Sequence, residues 1–128
     1  MTSSKLISFS LFVFFALALT RAEDRCDCAS IVAQKEESIG TLTLIHVTIQ
    51  AHLLGCEKRN VDKVEEYMGQ QLSGAMDNNF KCPAKGPSLK AIDGECESLN
   101  RQVVLFNAVV RDFYRLQGQA CGCGCVKA

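Results

Sequence analysis

Tryptophan is missing from this chain, proline occurs only twice, and aromatic rings make up 7% of it. Four of the seven phenylalanines (Phe9, Phe12, Phe14, Phe15) fall in an N-terminal apolar run, leaving Phe80, Phe106, Phe113, Tyr67 and Tyr114 for everything else. Sugar-binding modules lay their ligands on exposed amphipathic rings, so this scarcity argues against a lectin or chitin-binding domain. An excess of basic charge is missing too: Lys+Arg and Asp+Glu both number 14. No basic stripe is present to hold nucleic acid. The sequence contains no G-x-S-x-G, H-E-x-x-H, P-loop or dinucleotide fingerprint, and the chemistry those spacings support is not expected. C-x-x-C and N-x-S/T are absent as well, which argues against a thioredoxin-like redox pair and against N-glycosylation.

The stretch MTSSKLISFSLFVFFALALTRA carries Lys5, an apolar segment from Leu6 to Leu19, and small residues at Thr20 and Ala22. This is the pattern of a secretory signal peptide. The apolar segment is short of the roughly 20 residues that span a bilayer, and no second one follows, so no membrane span is expected after cleavage. Residues 1–22 are read as the leader and 23–128 as a single secreted cysteine-rich helical domain whose Cys/Gly-rich tail starts at 118. Loss of Lys5 and Arg21 leaves 12 basic against 14 acidic residues, a net charge of −2.

All eight cysteines, Cys26, Cys28, Cys56, Cys82, Cys96, Cys121, Cys123 and Cys125, lie in the mature part. An even number of cysteines behind a leader reads as a disulfide framework in an oxidising compartment. Such a framework helps a domain of this size, whose core alone is marginal.

Three segments have helical periodicity. Ile31, Val32, Ile39, Leu42, Ile45, Ile49 and Leu53 recur at three- and four-residue steps between Cys28 and Leu54, with Asp27 as N-cap and Gly55 as C-cap. Within it, TLTLIHVTIQ (41–50) is rich in β-branched residues that also suit a strand, but its phase continues on both sides of Gly40, which favours helix. Leu44, Val47, Ala51 and Leu54 form a second apolar row, so this helix is expected to be the most buried. Val61, Val64, Met68, Leu72 and Ala75/Met76 mark a second helix over 61–76 capped by Asn60. DNNFKCPAKGPS (77–88) breaks the pattern as a loop. Leu99, Val103, Phe106, Val110 and Phe113, widened by Leu105, Val109 and Leu116, mark a third helix that Gly118 should end. A short helical turn around Ser88–Ile92 is a candidate fourth piece. The expected fold is all-α, a small disulfide-stapled bundle of three main helices running up, down and up.

That topology puts Cys26, Cys28, Cys82 and Cys96 at one end and Cys56 with the tail cysteines at the other. Partners must bring their Cα atoms within about 7 Å. The simplest pairing joins Cys26 and Cys28 to Cys82 and Cys96, and Cys56 to one tail cysteine. The other two tail cysteines then bond to each other, pair between molecules, or return to the N-terminus on a tail folded back along the bundle. In that last case an extended tail would set two rungs beside Cys26 and Cys28, each closing a loop of about 100 residues and contributing about 4–5 kcal/mol.

Other candidate chemistry is thin. C-x-C-x-C (121–125) is a spacing that soft metals favour, and metal binding there is one alternative. His52 and Cys56 stand four apart, but Gly55 falls between them and a nucleophile needs a free thiolate. His46 lies on another face from His52. The acid pairs Glu36/Glu37, Glu65/Glu66 and Glu95/Glu97 sit in charge-mixed, solvated surroundings.

No catalytic residue and no cofactor is assigned. In leader, size and cysteine count the chain resembles the small secreted cysteine-rich effectors of fungi and other microbes. The adjacent Cys-Cys pair of plant lipid-transfer proteins and hydrophobins is missing. The expectation is a non-enzymatic extracellular interaction protein, effector- or toxin-like, acting on a host or competitor protein. The alternative is an extracellular carrier of a small apolar, lipid-like ligand.

Overall fold

The structure, a computed structural model, describes residues 26–52, 55–91 and 96–126, with backbone only for 50–52. The expected leader lies outside these residues. Three helices make up the fold: α1 (Cys28–His52), α2 (Lys58–Asn78) and α3 (Glu97–Gly122), with no strand among the described residues. Each is long enough, at about 1.5 Å per residue, to run about 30–40 Å.

Helix α1 starts where Asp27 caps it: the Ser30 N–H donates to Asp27 Oδ1 at 3.2 Å. The strand-like 41–50 segment is helical throughout. Its threonines fit because their hydroxyls bond back into the helix, Thr43 to the Ile39 carbonyl at 2.8 Å and Thr48 to that of Leu44 at 2.7 Å. Helix α2 begins earlier than expected. Glu57 takes the cap position without a side-chain cap bond, and Asn60 lies inside the first turn. The described part of the expected fourth turn, Ser88–Ala91, is not helical.

The apolar core forms along the expected faces. Leu42, Ile45 and Ile49 of α1 meet Val61, Val64 and Met68 of α2 and Leu99, Val103, Phe106, Val110 and Phe113 of α3. Each fully buried side chain of this kind contributes about 1.5–3 kcal/mol. Towards the start of α1 the interior changes character, and the buried residues there include Gln34, Lys35, Ser38 and Gln117.

The direction of α3 corrects the up-down-up expectation: α2 and α3 run parallel, and α1 runs antiparallel to both. The segment between α2 and α3 does not turn back at once but climbs the length of α2. Along it, the Lys85 N–H donates to Asn78 Oδ1, Gln71 Nε2 to the Ser88 carbonyl, and the Lys90 N–H to Tyr67 Oη. Cys96 finally reaches Cys56, at the start of α2. Extended chain covers about 3.3 Å per residue, so the eighteen positions from 79 to 96 easily return along a helix of about 32 Å. Tyr67, Asn107 and Lys90 lock the crossing: Tyr67 Oη donates to Asn107 Oδ1 at 2.6 Å, and Asn107 Nδ2 donates to the Lys90 carbonyl at 3.1 Å.

Candidate functional site

With α3 reversed, the tail cysteines arrive at the start of α1. The disulfides are Cys26–Cys123, Cys28–Cys125, Cys82–Cys121 and Cys56–Cys96. The simplest pairing is therefore replaced, and of the alternatives the tail that returns to the N-terminus is the one found. The tail is not extended, however. Helix α3 passes through Gly118 and continues to Gly122, so Cys121 sits in its last turn and Cys123 is its C-cap. Gly124 then adopts φ +70°. The Cys125 N–H bonds the Ala120 carbonyl at 2.8 Å and the Gly124 N–H bonds that of Cys121 at 3.2 Å. This is a Schellman motif, which needs a residue tolerant of the left-handed region, and it aims the three sulfurs at three different partners. All three are oxidised, so C-x-C-x-C presents no thiolates for a metal. Among the described residues no group of three His, Cys, Asp or Glu is placed to hold one.

Above this clasp lies a cleft of about 330 Å³. Val32, Phe80 and Val126 are its apolar lining residues, Lys35, Glu36 and Asn79 its polar ones, and Cys125 completes the lining. Phe80 is 76% exposed, whereas Lys35 is 2% exposed. The Lys35 ammonium donates to the Asn79 carbonyl at 2.8 Å and to Gln117 Oε1 at 2.5 Å, and Gln117 Nε2 donates onward to the Lys81 carbonyl at 2.8 Å. Burial pushes the Lys35 pKa below its ordinary value. None of the ion pairs among the described residues includes Lys35. Beside it, Asn79 Oδ1 is buried with no hydrogen-bond partner among the described residues. Sequence reading passed over Lys35, although it falls on the core register between Ile31 and Leu42, where a charged residue is itself a signal.

A second, more open hollow is lined by His46, Asp62, Glu65, Glu66 and Gly69. His46 Nε2 is buried there with no hydrogen-bond partner among the described residues. The His52 side chain lies outside the described atoms, and Cys56 is disulfide-bonded to Cys96, so the His52/Cys56 pair offers no free thiol.

The second apolar row of α1 is the other departure. Leu44 is 66% exposed and Val47 50%, on the helix expected to be most buried. Val32, expected in the core, is also turned outward. Two neighbours cover only part of a helix circumference, and the core already uses Leu42, Ile45 and Ile49. The sequence from Ser38 to Cys56 contains no Asp, Glu, Lys or Arg, and beyond the helix's own backbone nothing among the described residues lies within 4 Å of where a Cβ on Gly40 would stand. No helix among the described residues is long and apolar enough to cross a membrane.

No family model matches the chain, and neither the curated proteins nor the solved structures compared with it yield a match.

Proposed function

We propose that this is a secreted, non-enzymatic interaction protein, effector- or toxin-like, that acts outside the producing cell on a host or competitor protein through the outer face of α1. The observation that carries the reading is the exposure of Leu44 and Val47 within a charge-free stretch. The Thr43 and Thr48 hydroxyls flanking them are already bonded to their own helix. Apolar surface gathered on one face, rather than scattered singly, marks a contact site. The leader-like N-terminus and the four disulfides are compatible with an oxidising extracellular setting. The partner this face fits is a protein presenting an uncharged apolar groove, since a charged one would lose its hydration without compensation.

The test is a Leu44→Lys, Val47→Lys double variant, whose exposed positions leave the bundle intact. A partner captured by cross-linking in the extracellular medium of the target organism is purified and titrated against both proteins. Two central apolar contacts of about 1–2 kcal/mol each predict roughly 100-fold weaker binding by the variant. Equal affinity overturns the reading, as does a wild-type homodimer that the variant abolishes.

A further inference from the structure

We propose that the cleft over the clasp binds a medium-chain carboxylate, its head group on Lys35 and Asn79 and its hydrocarbon over Val32, Phe80 and Val126. The inference goes beyond the interaction reading and does not depend on it, because neither Leu44 nor Val47 lines the cleft.

The polar lining of the cleft carries an unmet requirement at Lys35. The Lys35 ammonium has three N–H donors, and its two partners, the Asn79 carbonyl and Gln117 Oε1, are both neutral. Among the described residues one donor therefore has no acceptor, and the ammonium forms no ion pair. A buried cation in this state gains from any anion that reaches it, because the desolvation of the ammonium has already been met in folding. Beside Lys35, Asn79 Oδ1 is buried with no hydrogen-bond partner among the described residues. Rotation of the amide exchanges Oδ1 and Nδ2, so the side chain can turn an N–H toward the second oxygen of a carboxylate bound by Lys35. An alcohol brings no charge, and an amine is repelled by Lys35. Glu36, exposed on the same rim, disfavours a doubly charged phosphate over a singly charged head.

The apolar end sets the length. Phe80 is 76% and Val32 38% exposed, so both have surface to bury. A dry cavity of about 150 Å³ takes a benzene ring, and the present cleft of about 330 Å³ has room for a chain of about eight to ten carbons. A mostly apolar cleft with a few converging polar groups and a buried charged residue is the usual form of a small-molecule site.

The experiment titrates octanoate, octanol and octylamine into the oxidised protein by calorimetry, with amide chemical shifts followed in parallel. Octanoate is expected to bind one-to-one and at least about tenfold more tightly than either analogue, equivalent to about 1.4 kcal/mol. Its shifts should centre on Val32, Asn79, Phe80 and Val126. Lys35→Met should lose that preference for octanoate over octanol. Phe80→Ser, at an exposed position that leaves the fold intact, should weaken octanoate and octanol alike. No binding of octanoate, equal binding of the three ligands, retention of the preference in Lys35→Met, or shifts centred on Leu44 and Val47 would each overturn the proposal.

Discussion

Replacing Cys26 and Cys123 together by serine removes one rung of the clasp and leaves its neighbour, Cys28–Cys125, in place. If the rungs acted independently, each would close a loop of 97 residues and be worth nearly 5 kcal/mol in the chain-entropy model. They do not act independently. With Cys28–Cys125 intact, restoring Cys26–Cys123 closes only the small ring made by residues 26–28 and 123–125. A ring of about five residues is worth about 2 kcal/mol by the same relation. The greater loss comes when both rungs are gone. Even then the chain path from Cys28 to Cys125 is shortened to about fifty residues by Cys56–Cys96 and Cys82–Cys121, which gives about 4 kcal/mol.

The expected losses are therefore about 2 kcal/mol for either single-rung variant and about 6 kcal/mol for the double-rung variant. A loss of about 6 kcal/mol is a large share of the roughly 5–15 kcal/mol typical of a domain. Urea unfolding should therefore be followed by far-UV circular dichroism at about 15 °C, near the usual stability maximum. The reasoning fails if each single variant loses about 4 kcal/mol or more and the double variant loses the sum of the two.

Tyr67→Phe deprives Asn107 Oδ1 of its donor and the Lys90 N–H of its acceptor, so thermal unfolding should show a loss of about 1–3 kcal/mol; a change under about 0.5 kcal/mol would mean the crossing segment is not held there. For Lys35, burial sets the folded pKa below the ordinary 10.5. Between those two values the unfolded chain binds more protons, so wild-type stability should rise with pH up to about 10.5 and level off above it. Lys35→Met lacks that rise, and a stability difference between the two proteins that stays constant across alkaline pH contradicts the assignment.

The parts of the fold that were legible in the sequence are those fixed by local periodicity. The face of α3 from Leu99 to Phe113 is buried as its spacing predicts, and the phase across Gly40 identifies 41–50 as helix despite its β-branched residues. Features that depend on a second element were not legible. Two apolar rows on α1 establish that the helix has two faces able to bury surface, but not that only one has a neighbour. Proline and glycine in 77–88 announce a break in the helix. They do not say whether the chain turns at once or climbs the length of α2, and the direction of α3, hence the pairing of every cysteine, depends on that choice. Lys35, Asn107 and Gln117 sit on core registers as polar residues, so apolar periodicity does not mark them. Each has a partner distant in sequence that only the assembled bundle supplies.

The placement of the cross-links follows from the same division of the interior. Three of the four disulfides gather at the start of α1 and the end of α3, where buried Gln34, Lys35, Ser38 and Gln117 sit alongside the buried apolar Ile31, Leu116 and Ala120. The opposite end, packed with Leu42, Ile45, Ile49, Val61 and Leu99, has Cys56–Cys96 alone. Four polar residues at positions that would otherwise bury an aliphatic side chain forgo roughly 6–12 kcal/mol of transfer free energy. The two-rung clasp and Cys82–Cys121 together restrict the unfolded chain by roughly 10 kcal/mol. The two figures are of one size, so the glycine-spaced cysteines of the tail supply, by constraining the unfolded state, the stability that this end does not draw from apolar burial. Buried polar groups are thereby maintained around Lys35, and a buried ammonium with no ion pair among the described residues can persist beneath an open cleft. On this account, replacing Lys35 and Gln117 together by leucine should make the clasp dispensable. That variant should tolerate loss of both rungs with its helices still folded at about 15 °C, where the wild-type sequence without them is near its limit. A leucine variant that still unfolds on losing the clasp would show that the disulfides serve some purpose other than offsetting a polar core.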